Sequence, residues 1–192
     1  MDIFRDERDF LNFLKRLKIV LGMTRAPLVA QGAPLSPSSR INPLPDGSFT
    51  VLCYCLMPNH FHFLIRQNTD LPVSKLFSKV CTSYSMYFNR KYERVGTIFQ
   101  DRFKSVHVAN DSQLLWLSAY IHQNPKVAGE VANLLDYEWS SYPDYVGGRA
   151  GTLCEKSVIL NQFPSPSDYQ KFVESAFDPI KSRKTIEHLI LD

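Results

Sequence analysis

The 192-residue sequence predicts an α+β fold, and two patterns carry that reading. The run His60-Phe61-His62-Phe63-Leu64-Ile65 is aromatic and branched with period-two alternation, which is the signature of a strand. On either side of it lie long stretches whose apolar residues recur at helical spacing.

The strand is preceded by Pro58-Asn59, a rigid turn, and before that residues 49–56 read as a second strand. The two, 49–56 and 60–66, are expected to form an antiparallel hairpin. Successive strand side chains point to opposite faces, so His60 and His62 share one face and Phe61 and Phe63 the other. Two imidazoles at this spacing can grip one divalent metal, although half-buried histidines on an ordinary strand would read the same way.

Upstream, residues 4–21 predict an amphipathic helix, with Phe10, Phe13, Leu14, Leu17 and Leu21 on one side and Asp6, Glu7, Arg8, Lys15 and Lys18 largely on the other. Gly22 is its expected stop. Residues 24–47 hold five prolines and are expected to be a flexible loop. Downstream, 71–92 predicts a second helix with Leu76, Val80, Tyr84, Tyr87 and Phe88 along its apolar side. A stretch follows in which Arg90, Lys91, Arg94, Arg102 and Lys104 are interleaved with Tyr92, Phe99 and Phe103. Cations for phosphate and ring faces for bases are what single-stranded nucleic acid requires, and a solvated basic loop over core aromatics is the plainer alternative. A third helix is expected from an Asp111-Ser112 cap to Asn124, ahead of Pro125, and it places Tyr120 and Asn124 on one face. Gln123, at i+3, is the alternative neighbour, and His122 points well away. Residues from about 152 to 177 read as a helical tail, with Ser167-Asp168 as a cap.

Composition narrows the class. Hydrophobic residues make up 44% and charged residues 21%, as in a soluble globular protein, and the net charge of +3 permits a nucleic-acid partner without demanding one. No apolar run approaches the ~20 residues of a bilayer span, and the acidic start lacks a signal core, so a cytoplasmic protein with no membrane partner is expected. Cys53, Cys55, Cys81 and Cys154 contain no C-x-x-C pair and are read as reduced thiols. There is no glycine-rich phosphate loop, which weighs against a nucleotide-binding module.

Leu56-Met57-Pro58-Asn59-His60-Phe61-His62-Phe63-Leu64 resembles the histidine-hydrophobic-histidine signature of the single-tyrosine transposases of the IS200 type, closest to those associated with repetitive extragenic palindromes. Gly96–Ser105, Tyr120–Gly129 and Asp136–Tyr142 resemble later elements of that family. The resemblance implies a ferredoxin-like antiparallel sheet of the HUH endonuclease type in residues 1–150, followed by the tail 151–192, with 103–108 as a further strand. It implies Tyr120 as nucleophile, and His60, His62 and Asn124 as ligands of Mg²⁺ or Mn²⁺. The implied partner is single-stranded DNA with hairpins, bound through Arg90, Lys91, Arg94, Arg102 and Lys104, cleaved and rejoined through a 5′-phosphotyrosine during DNA transposition by a monomer or homodimer. Family members carry a strand before the first helix, and nothing in residues 1–10 reads as one. Either the start is set too far downstream, or another segment fills the gap, or the protein is a catalytically decayed relative that still binds DNA hairpins.

Overall fold

A computed structural model describes residues 1–24, 41–100 and 103–182. Most of the loop expected at 24–47 therefore lies outside the described residues, as do Arg102 and the last ten positions. The described chain forms two compact units, one from residues 1–50 and 66–105, the other from 51–65 and onward from 106. The boundary expected at residue 150 falls inside the second.

In the first unit, helix α1 (Glu7–Val20) packs against helix α2 (Val73–Lys91). Asp6 caps α1 by accepting the Asp9 N–H at 3.2 Å. At the other end Gly22 takes φ +74°, the Met23 N–H reaches Lys18 O and the Gly22 N–H reaches Ile19 O, a Schellman closure. Phe13, Leu17, Leu76, Val80, Tyr84 and Phe88 are fully buried between the helices. Phe4 joins them, stacked on Phe10 at 4.6 Å and edge-on to Phe13 at 5.3 Å.

The helix pattern did not foretell that Asp9 and Arg16 would be buried as well. Asp9 accepts the Arg5 N–H, the hydroxyls of Tyr87 and Tyr92, and Lys91 Nζ at 2.7 Å. Burial pushes its carboxyl up, but these donors outweigh that and hold it below the ordinary 3.8.

The hairpin forms as expected: β1 (Phe49–Met57) and β2 (His60–Gln67) make a two-stranded antiparallel sheet around Pro58-Asn59. The two-residue connection sets Tyr54 opposite Phe63, and their rings stack at 5.9 Å.

Residues 51–65 of this hairpin belong to the second unit. There every residue of β1 from Val51 to Met57 is buried, because its outer edge is covered too. Cys55 bridges to Ser140, the Leu56 N–H reaches Trp139 O at 2.9 Å, and the Ser141 N–H reaches Tyr54 O at 3.0 Å. Helix α3 (Asp111–Val127) packs against the short 3-10 turn Leu134–Asp136, which in turn meets α4 (Tyr142–Tyr145). After α5 (Ser157–Leu160), α6 (Pro166–Ser175) packs on α3.

Four local expectations need correction. Residues 103–108 form no strand: Phe103 and Val106 are exposed and Val108 is only half-buried, so neither face of the segment is covered. The α3 cap is Asn110, whose side chain accepts the Gln113 N–H at 2.9 Å, while Gln113 Oε1 accepts the Ala109 N–H. The α6 cap is Ser165, paired with Asp168. Finally, α3 does not stop at Asn124 but runs through Pro125. Proline deprives the Ile121 carbonyl of its helical donor, and Asn124 Nδ2 lies 3.5 Å from that oxygen and 2.9 Å from Tyr120 O.

Candidate active site

The histidine strand β2 and helix α3 bring their chemistry together within the second unit. Strand alternation puts His60 and His62 on one face, with ring centroids 4.8 Å apart and planes perpendicular. The His62 ring meets Tyr120 edge-on at 5.8 Å. Phe61 and Phe63 lie together at 5.6 Å and are half-buried rather than core. His60 is exposed, and His62 and Tyr120 are half-buried, so the cluster is reachable from solvent.

His60 Nδ1 lies 2.6 Å from Asn59 Oδ1. A carbonyl oxygen can only accept, so Nδ1 is the donor, which in the neutral ring leaves the lone pair on Nε2. That is the tautomer a metal-binding histidine adopts when its other nitrogen is held by an acceptor. Asn124 is buried one helical turn beyond Tyr120, with its amide N–H turned onto its own helix. The alternative neighbour, Gln123, is turned away: its Nε2 donates to Val173 O of α6 at 2.6 Å. Among the described residues no three His, Cys, Asp or Glu side chains gather into a metal site. A cation here would have two imidazoles and an amide oxygen from the protein, with substrate and water completing the set.

His122, read from the sequence as pointing well away from Tyr120, proves to be a buried structural group. It sits between Ser141 Oγ and the Tyr169 hydroxyl, each at 2.8 Å, and against the rings of Tyr142 and Tyr145. Burial pushes this imidazole down to about 3, so it is neutral at physiological pH. Its position in a helical pattern gave no hint of partners 19 and 47 residues away.

The basic stretch is in the first unit and its members differ sharply. Arg90 and Lys104 are exposed. Lys91 is held by Asp6 at 2.6 Å and Asp9 at 2.7 Å, with its ammonium 4.9 Å from the Tyr92 ring centre. Arg94 is half-buried with its guanidinium 5.9 Å over Phe88. Arg102 lies outside the described residues. No described helix is long and apolar enough to cross a membrane.

Comparison with known proteins gives one match. Residues 44–124 match a family model described as transposase, IS200 like, a segment that contains His60, His62, Tyr120 and Asn124. No curated protein and no solved structure matches the chain. With its mixed α/β structure and two-stranded antiparallel sheet, the chain is consistent with part of that fold. The matched segment, less than half of the chain, is similar to the IS200-like transposases.

Proposed function

We propose that the protein cleaves and rejoins single-stranded DNA beside a hairpin, with Tyr120 as nucleophile. The observation that carries this reading is the meeting of three rings from two elements, His60 and His62 on β2 and Tyr120 on α3. Tyr120 Oη forms a bond to phosphorus, the P–O3′ bond breaks, the phenol loses its proton and the departing 3′-oxygen takes one up. The result is a 5′-phosphotyrosine and a free 3′-hydroxyl, and the stored ester lets the ends rejoin without ATP.

His60, His62 and Asn124 would hold a divalent ion, Mg²⁺ or Mn²⁺, and such an ion supplies charge neutralisation at the scissile phosphate. The chain's own contribution is orientation. Asn59 sets the His60 tautomer, and the closed hairpin turn fixes where the pair stands. Exposed Arg90 and Lys104 supply the phosphate contacts.

The test is a denaturing-gel assay for a covalent adduct on hairpin-tipped single-stranded DNA with Mn²⁺ present. The unmutated protein should form the adduct. Tyr120→Phe should bind the same oligonucleotide with similar affinity and form none. An adduct that persists in Tyr120→Phe would assign the nucleophile elsewhere and remove the reading.

A further inference from the structure

A continuous run of hydrogen bonds joins β1, the partner of the histidine strand, to the helix that carries Tyr120. The Tyr54 N–H donates to Ser141 Oγ at 2.9 Å, and Ser141 Oγ lies 2.8 Å from His122 Nε2. On the other side of the ring, His122 Nδ1 lies 2.8 Å from the Tyr169 hydroxyl. That hydroxyl is 3.2 Å from Ser118 Oγ, which is 2.7 Å from Leu115 O.

The directions of these bonds can be worked out from the far end. Leu115 O only accepts, so Ser118 spends its single proton on that short contact. Tyr169 must then donate to Ser118, which leaves the tyrosine oxygen to accept from His122 Nδ1–H. With Nδ1 protonated and the ring neutral, Nε2 accepts, and the Ser141 hydroxyl is its donor. Ser141 has a longer alternative in Tyr54 O at 3.2 Å, but that oxygen already takes the Ser141 N–H at 3.0 Å. One tautomer thus satisfies all five contacts in one direction. The opposite tautomer leaves the Tyr169–Ser118 contact without a proton.

We infer that His122, as its Nδ1–H tautomer, is a positioning residue that sets the rotation of α3 and thereby aims Tyr120 at the His60–His62 pair. His122 follows Tyr120 by two positions, about 200° around the helix, so anchor and working side chain lie on opposite faces. A rotation of α3 that moved Tyr120 off His62 would have to break the bonds at His122. Ser141 and Tyr169 lie outside the segment that matches the family model, so this anchorage is supplied by the chain's C-terminal part. The catalytic meaning of the inference rests on the function proposed above; its structural content does not.

The test has two arms on the full chain. In the first, ¹⁵N-edited NMR reads the His122 tautomer, and NOEs read the proximity of the Tyr120 and His62 rings, neither of which needs turnover. The Nδ1–H form and clear NOEs are expected, with the NOEs weakened in Ser141→Ala and in His122→Phe. An Nε2–H tautomer, or NOEs unchanged in Ser141→Ala, would overturn the inference. In the second arm, adduct formation should slow on the order of 100-fold in Ser141→Ala while oligonucleotide affinity stays unchanged, because a misaimed nucleophile costs rate and not binding. His122→Gln, which keeps a donor and an acceptor, should recover part of the rate lost in His122→Phe. An equal rate in Ser141→Ala overturns the inference. If the unmutated protein forms no adduct at all, the proposed function fails, and the NMR arm alone decides the positioning role.

Discussion

Replacing Lys91 with methionine separates two roles for the same side chain, a DNA contact and a buried counter-ion. Lys91 Nζ bridges Asp6 and Asp9, and Asp9 is wholly buried while Lys91 is 22% exposed. Removing the ammonium leaves a buried carboxylate with the Arg5 N–H and the Tyr87 and Tyr92 hydroxyls as its donors. Breaking a fully buried pair costs roughly 3–5 kcal/mol. Because Lys91 is partly solvated and neutral donors remain, we expect about 2–3 kcal/mol, or a fall in Tm of roughly 4–12 °C for a chain of this size.

The pH dependence follows with its sign. The Asp9 carboxyl is depressed, so its contribution is present above about 3.8 and is lost as pH falls through the folded value. For Lys91 burial lowers the pKa, but the bonds to Asp6 and Asp9 outweigh it and raise the ammonium above 10.5. Its contribution is therefore full below 10.5 and is lost as pH rises through the higher folded value. Urea melts at pH 7 and pH 3 give the stability, and single-strand binding over a salt series gives the other role. We expect Lys91→Met to lose stability at pH 7, to lose less at pH 3, and to leave the salt slope unchanged. A variant of unaltered stability whose salt slope drops by about one would refute the structural assignment and return Lys91 to the DNA.

Three further outcomes are expected. Neutralising Arg90 and Lys104 together should reduce the slope of log affinity against log salt by roughly two, measured by fluorescence anisotropy; an unchanged slope would make them a solvated surface. Asn124→Ala should slow adduct formation less than His60→Ala or His62→Ala, since water can replace an amide oxygen. It should also cost about 1 kcal/mol in urea melts, because the back-bond to Tyr120 O is lost beside Pro125. Gly151→Ala should destabilise by about 1–3 kcal/mol, because its Cβ would collide with the Asp144 carboxylate, which accepts the Gly151 N–H and pairs with Arg149 at 2.6 Å. Thermal melts read this directly, and a stability equal to the parent would show that Asp144 is free to shift.

What the sequence determined by itself is local. The β1–β2 hairpin, its Pro58-Asn59 turn and the three long helices follow from alternation, helical periodicity and stop residues within a few positions of each other. The shared face of His60 and His62 needs nothing beyond strand geometry. The tertiary structure decided everything that depends on distant partners. Asp9 is buried where Lys91, 82 residues on, and the Tyr87 and Tyr92 hydroxyls meet it, a pairing that the composition of the basic stretch did not announce. His122 became an anchor because Ser141 and Tyr169 converge on it. Gln123 is turned from Tyr120 because α6 brings Val173 O to its amide, a contact 50 residues away in the chain. Residues 103–108 look strand-like in composition, but a strand needs both a buried face and a paired edge, and Phe103 and Val106 stay exposed. Local pattern fixes which way a side chain points; whether another part of the chain is there to receive it is a property of the packed molecule.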